Sequence, residues 1–166
     1  VSFDPAGLDD VILGCTNQAG EDNRNVARMA ALLAGYPVEV PGQTVNRLCG
    51  SGLQALASAA QAIKAGEGTA FVAGGVESMT RAPYVSPKRS SAWDRRPPEI
   101  GDTTIGWRLV NPAMPTEWTI SLGATAEVVA RRYSITRDEQ DQFAFESQRR
   151  AVAAQSLCVF DDEMVP

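Results

Sequence analysis

Apolar positions fall into short blocks separated by glycine-rich punctuation. Val11-Ile12-Leu13, ending on Gly14, predicts a buried strand over residues 9–15. A loop rich in Gly, Asn and Asp follows from Gly14 to Asn25. Val26, Met29, Ala30 and Leu33 then recur at i, i+3, i+4 and i+7, which predicts a helix with that face inward, and Gly35 is placed to stop it in the left-handed region. Gln43 to Leu48 reads as a second strand. Leu53, Leu56, Ala57, Ala60 and Ile63 form the apolar stripe of a second helix that Gly66 ends, and Thr69 to Val76 reads as a third strand closing on Gly74-Gly75. Strand, helix, strand, helix, strand in that order predicts an α/β layered fold with parallel pairing, because helices make the crossovers.

After Glu77 the pattern changes. Six of the ten prolines and all three tryptophans lie between residues 80 and 120, where no period is visible. A stretch so long without periodicity covers a site or is disordered, and the tryptophans favour an ordered covering loop. A helix from about Leu122 to Tyr133 follows, with Leu122, Ala126, Val129 and Tyr133 on one face. Thr136-Arg137-Asp138-Glu139 has the spacing of a capping box and starts another. Val159-Phe160 and Met164-Val165 read as the edge of a strand. There is no internal repeat.

Composition narrows the chemistry. The 44% apolar and 21% charged fractions of the 166 residues suit a packed globular chain. Net charge is −5, which leaves no electrostatic footprint for nucleic acid. No apolar run is long enough to suggest a membrane span, and no signal peptide opens the chain. Three cysteines are too few for a disulfide scaffold, so a reducing compartment, the cytoplasm, is expected. The chain contains no histidine. It cannot by itself build a His-ligated metal site, a Ser–His triad or a Cys–His dyad, and no metal is expected.

The sharpest local feature is Asn46-Arg47-Leu48-Cys49-Gly50-Ser51-Gly52 at a strand-to-helix junction. A thiol there faces the positive end of a helix dipole, which favours thiolate. Gly50 and Gly52 remove side chains that would obstruct a substrate, and the Cys49 amide can face an oxyanion. These are the requirements of an acyl-accepting nucleophile; the competing reading is a small buried Cys at a tight contact. Cys15, at a strand end, and Cys158, in Ser156-Leu157-Cys158-Val159, read as structural. Glu77 reads as a capping or solvated acid in preference to a site acid. Gly74-Gly75 is placed to let backbone pass close beneath the nucleophile. Lys88-Arg89 and Arg95-Arg96 are basic pairs on a Pro-rich loop, which are usually solvated. Arg24 and Arg28 flank a helix start, where they suit holding the loop or a subunit contact.

Val45 to Ala55, read as one segment, resembles the acyl-enzyme signature of the thiolases, the acetyl-CoA C-acyltransferases. Further segments resemble the same family in the same order: Gly20 to Arg28, Ala73 to Met79, Thr125-Ala126-Glu127, Ile135 to Asp141 and Phe160 to Pro166. Asp102 to Arg108 and Val110-Asn111-Pro112 look closest to the branch acting on 3-oxoadipyl-CoA in aromatic degradation. The resemblance implies a layered α/β thiolase fold, of which residues 1–78 are an incomplete N-terminal core domain lacking its first strand and helix. Residues 79–166 would be the first part of the loop domain that covers CoA. It implies Cys49 as the acyl-thioester nucleophile, coenzyme A thioesters as substrates with no other cofactor, and a homodimer or homotetramer. Ser121-Leu122-Gly123 is similar to the segment bordering the acyl pocket, so Leu122 is a candidate substrate contact, with a core position as the alternative. The family's catalytic histidine and second cysteine lie in C-terminal motifs that this sequence does not contain. The segment alone is therefore expected to be inactive. A decarboxylating condensing enzyme and a thiolase-like binding module without turnover are the competing functional readings.

Overall fold

A computed structural model describes residues 3–18 and 20–165. Ala19 of the expected loop, and Pro166 at the end of the closing motif, lie outside them. The chain divides into two compact units, Val1–Leu109 and Val110–Pro166.

The first unit is built on a parallel three-stranded sheet. Strands β1 (Asp10–Gly14), β2 (Gly42–Val45) and β3 (Phe71–Gly75) stand in the order β2-β1-β3, with Ile12 opposite Gln43 on one side and Ala73 on the other. Helix α1 (Val26–Leu33) connects β1 to β2, and α2 (Ser51–Ala65) connects β2 to β3. Parallel neighbours need such crossovers, as the alternation of elements predicts. Side chains alternate across the central strand. Val11 packs with Ala27, Ala31 and Val40 on one face, and Ile12 with Ala55 and Ala59 on the other. The sheet is thus sandwiched between α1 and α2, and each buried branched side chain on it contributes about 1.5–3 kcal/mol. Gly35 and Gly66 both adopt positive φ, at +78° and +76°, and end their helices as expected.

The inward helix faces differ from the expected ones. On α1 the buried residues are Ala27 and Ala31, whereas Leu33 is 89% exposed. On α2 they are Ser51, Ala55 and Ala59, while Leu53, Leu56 and Ile63 are exposed. Close approach explains both. A Cβ on Gly42 would sit 2.7 Å from the Arg28 Cα, and one on Gly14 would sit 2.3 Å from the Ser51 carbonyl carbon. Helices that lie so near the sheet can turn only their smallest residues toward it, and the leucines are left on the far side. The second strand also stops earlier than expected, at Val45, and the chain turns from Asn46 onward.

The Pro- and Trp-rich stretch carries a short antiparallel ladder, β4 (Tyr84–Val85) with β5 (Gly101–Asp102). Thr103, just after β5, is buried, and its hydroxyl donates to the Pro83 carbonyl at 2.5 Å. The tryptophans are exposed, with Trp93 at 91%, so the order of this stretch comes from the ladder and not from them.

In the second unit, α3 (Leu122–Tyr133) and α4 (Arg137–Ser156) occupy the expected spans. Ser121 caps α3 by accepting from the Ala124 amide. Thr136 and Glu139 form the reciprocal capping box that their spacing predicts. The expected terminal strand is absent among the described residues. Asp161–Glu163 form a single 3-10 turn instead, because a strand edge needs a ladder partner and this unit contains none among its described residues.

Candidate functional site

The turn between β2 and α2 is organised around Cys49, which is exposed and unpaired. Leu48, the residue before it, has φ of +49°, in the left-handed region that branched side chains rarely enter. Two side chains hold it there. The Leu48 amide donates to Asn46 Oδ1 at 3.0 Å, an Asx-type turn two residues long. The Leu48 carbonyl accepts from the Ser51 amide at 3.0 Å and from the Ser51 hydroxyl at 2.5 Å. The same hydroxyl accepts from the Arg47 amide at 2.9 Å. Ser51 is buried, so its one hydroxyl bridges the backbone on both sides of the turn. Cys49 therefore sits at the tip of a tight, braced loop immediately before the first turn of α2. Gly50 is the N-cap and offers no side-chain bond; its amide and that of Ser51 donate to the Arg47 and Leu48 carbonyls, so the thiol stands beside a helix N-terminus that no side chain caps.

Glycines let this turn rest on the sheet. Besides Gly14, Gly75 lies close under the turn: its Cβ would lie 3.1 Å from the Gly14 carbonyl oxygen and 3.4 Å from the Gly52 Cα, a tight fit. Of the expected pair Gly74-Gly75, only Gly75 makes the close backbone approach. Gly74 meets no more than the Leu13 side chain at 3.6 Å. A Cβ added at Gly52 would meet nothing within 4 Å, so the turn is open on that side.

Glu77, beyond β3, is a hub. Its Oε2 accepts from the Thr16 amide at 2.8 Å and the Thr16 hydroxyl at 2.7 Å. Its Oε1 accepts from the Asn17 amide at 2.8 Å and the Cys15 thiol at 3.6 Å. Burial pushes the Glu77 carboxyl up, but these donors outweigh it and hold the group below its ordinary value. Cys15 is buried, and its thiol is pushed up, first by burial and then by the neighbouring Glu77 charge. It is a protonated structural group, in line with expectation. Asn17 extends the hub to the β4–β5 ladder, donating from Nδ2 to Thr103 Oγ1 at 2.9 Å.

Other candidates resolve locally. Arg28 donates to the Val38 carbonyl at 2.9 Å and to the Val40 carbonyl, so it holds the segment that leads into β2. Arg89 donates to the carbonyls of Asp94 and Arg96, and Arg96 pairs with the Asp94 carboxylate, so two of the four basic loop residues are spent within their own loop. Cys158 is exposed with φ of +54°, in the turn that follows α4. Leu122 opens α3 in the second unit and is 80% exposed there. No group of three or more His, Cys, Asp or Glu side chains that could hold a metal occurs among the described residues. No helix of the described residues is long and apolar enough to cross a membrane.

A family model for the thiolase N-terminal domain matches residues 1–166. The chain belongs to the thiolase family. Within that family it is 59% identical over 165 residues to the 3-oxoadipyl-CoA/3-oxo-5,6-dehydrosuberyl-CoA thiolase of Escherichia coli K12, covering 99% of this chain and 41% of the relative. It is 58% identical over 162 residues to the beta-ketoadipyl-CoA thiolase of Acinetobacter baylyi, covering 97% and 40%. Among solved thiolase structures, the Bacillus anthracis acetyl-CoA acetyltransferase superposes with a TM-score of 0.82 at 41% identity, covering 99% of this chain and 40% of that one. The thiolase chain thus spans about two fifths of the length of the relatives it matches.

Sequence reasoning singled out Cys49 and missed its supports. Ser51 stood inside the quoted motif without a role. Asn46, two residues before Leu48, carried the spacing of an Asx turn, which was the available signal. Thr16 had no local signal, because its link to Glu77 spans 61 positions.

Proposed function

We propose that this chain supplies the nucleophile-bearing part of a thiolase active site, with Cys49 as the acyl carrier. The observation that carries the reading is an exposed thiol at the tip of a braced, strained turn that opens a helix. In thiolysis, the Cys49 thiolate attacks the 3-oxo carbonyl of a 3-oxoacyl-CoA. The bond between C2 and C3 breaks, acetyl-CoA leaves as its enolate and takes up a proton, and the acyl group remains on sulfur. A CoA thiolate then attacks the thioester and releases the shortened acyl-CoA. Amides at an open helix start suit the oxyanion formed in both steps. The acid–base groups of the cycle are assigned to polypeptide outside these 166 residues, so the segment by itself has no turnover.

The substrate class proposed is a 3-oxoacyl-CoA with a carboxylate at the far end of its acyl chain, as in the 3-oxoadipyl-CoA of the relatives' names. Residues 1–78 are assigned to the N-terminal core and residues 79–166 to the region that covers CoA, with Leu122 toward the acyl chain. A cytoplasmic homodimer or homotetramer completes the reading. The test is turnover of 3-oxoadipyl-CoA and acetoacetyl-CoA by the thiolase that contains this chain. Faster use of 3-oxoadipyl-CoA, abolished in Cys49→Ser, is the expected result. Turnover that survives in Cys49→Ser overturns it.

A further inference from the structure

The nucleophile turn is tied to the far edge of the site by an unbroken chain of hydrogen bonds. Glu77 fixes the backbone of Thr16 and Asn17 through both of their amides. The Thr16 carbonyl, so fixed, accepts from Asn46 Nδ2 at 3.1 Å. That bond orients the amide of Asn46, whose Oδ1 accepts from the Leu48 N–H at 3.0 Å. Leu48 at φ +49° then presents Cys49. Three loops, after β1, after β2 and after β3, meet in this relay.

We infer that Glu77 and Asn46 are positioning residues for the Cys49 nucleophile, acting through the Thr16 carbonyl to hold Leu48 in its left-handed conformation. The inference rests on the reading of Cys49 as the acyl carrier and adds how its geometry is maintained. The physical argument is one of strain. A branched residue at positive φ persists only where its surroundings over-determine it. Ser51 supplies one brace, on the carbonyl side of Leu48. On the amide side Asn46 is the partner among the described residues, and it is an exposed side chain whose orientation depends on its bond to Thr16. Thr16 is in turn held by a carboxylate that accepts from its amide and its hydroxyl together. Glu77 thus acts at a distance from the sulfur, by backbone geometry and not by contact.

The test is the rate of Cys49 alkylation by iodoacetamide at neutral pH, mapped by peptide mass, with exposed Cys158 as the internal reference. It is run on the folded protein, with circular dichroism confirming the fold of each variant. Asn46→Ala, at an exposed position, and Glu77→Gln are each expected to slow Cys49 by about tenfold, while Cys158 is unchanged. A general loss of stability would open the turn to reagent and would not slow Cys49 selectively. Leu48→Gly supplies the second readout. Glycine adopts positive φ freely, so in that background Asn46→Ala is expected to cost less than about threefold. Equal effects of Asn46→Ala with and without Leu48→Gly overturn the relay. So do rates within about twofold of the parent in both Asn46→Ala and Glu77→Gln. Should Glu77→Gln fail to fold, Asn46→Ala decides. If Cys49 of the parent protein reacts no faster than Cys158, the nucleophile reading itself falls and the relay with it; a fast parent with indifferent variants refutes the relay alone.

Discussion

Gly14→Ala should dislodge the nucleophile turn from beneath, through Ser51 and Gly52. The added Cβ would stand 2.3 Å from the Ser51 carbonyl carbon, 2.5 Å from the Gly52 nitrogen and 2.6 Å from the Ser51 oxygen. Carbon atoms in contact prefer separations of roughly 3.5–4.0 Å, so the shortfall exceeds about 1 Å. All three obstructing atoms are backbone, and no rotamer change relieves them. The first turn of α2 must therefore lift from the end of β1. Overpacking of this kind costs about 1–3 kcal/mol, a fall in melting temperature of roughly 2–12 °C for a chain of this size. The shift also carries Ser51, whose hydroxyl holds Arg47 and Leu48. A reacting atom displaced by about 1 Å loses on the order of 100-fold in rate. The matched control is Gly52→Ala, where nothing lies within 4 Å of the new Cβ. There the helix gains roughly 0.5–1 kcal/mol, the difference between Gly and Ala. Thermal melts and the Cys49 alkylation rate of the two variants should thus move in opposite directions from the parent in stability, with only Gly14→Ala slowing Cys49. A Gly14→Ala protein that melts and reacts like the parent would refute the packing argument.

Three other outcomes are expected. Thr136→Ala removes the capping box of α4 and should cost about 1 kcal/mol, read as lost helicity in circular dichroism of the second unit. The Glu77 carboxyl titrates below its ordinary 4.5, so its contribution is complete above that value and is lost as pH falls through the folded one. Urea midpoints should therefore drop below about pH 4.5, with a shallower drop in Glu77→Gln. Cys15 is shifted the other way. Its contribution is complete below the ordinary 9.0 and is lost as pH rises through the folded value, so native protein should leave Cys15 unlabelled at neutral pH and lose stability in alkali, the loss being smaller in Cys15→Ala.

The order of elements was legible because strand cores, helix periods and glycine stops are local properties. Val11-Ile12-Leu13, Gly35 and Gly66 each act through their own backbone. The inward faces of α1 and α2 were not legible, since periodicity alone favours turning Leu33 or Leu53 to the core. That preference is overridden by distance: Gly42 and Gly14 bring each helix too near for a leucine between. The β2 end was misplaced because Asn46 competes for the Leu48 amide and turns the chain, a side-chain effect that strand propensity does not register. At the site, Cys49 was visible from its junction and its family resemblance. The hub at Glu77 was not, because its partners Thr16 and Asn17 are about 60 positions away in sequence and become neighbours only after β1 and β3 pair.

The acyl-thioester tests the central claim most directly. The thiolase that contains this chain is mixed with acetyl-CoA, quenched in acid within the first turnover and digested for peptide mass analysis. The account predicts one acetyl group, labile to hydroxylamine, on the peptide carrying Cys49, and none on those carrying Cys15 or Cys158. Acetyl found on another residue while Cys49 remains a free thiol would contradict it.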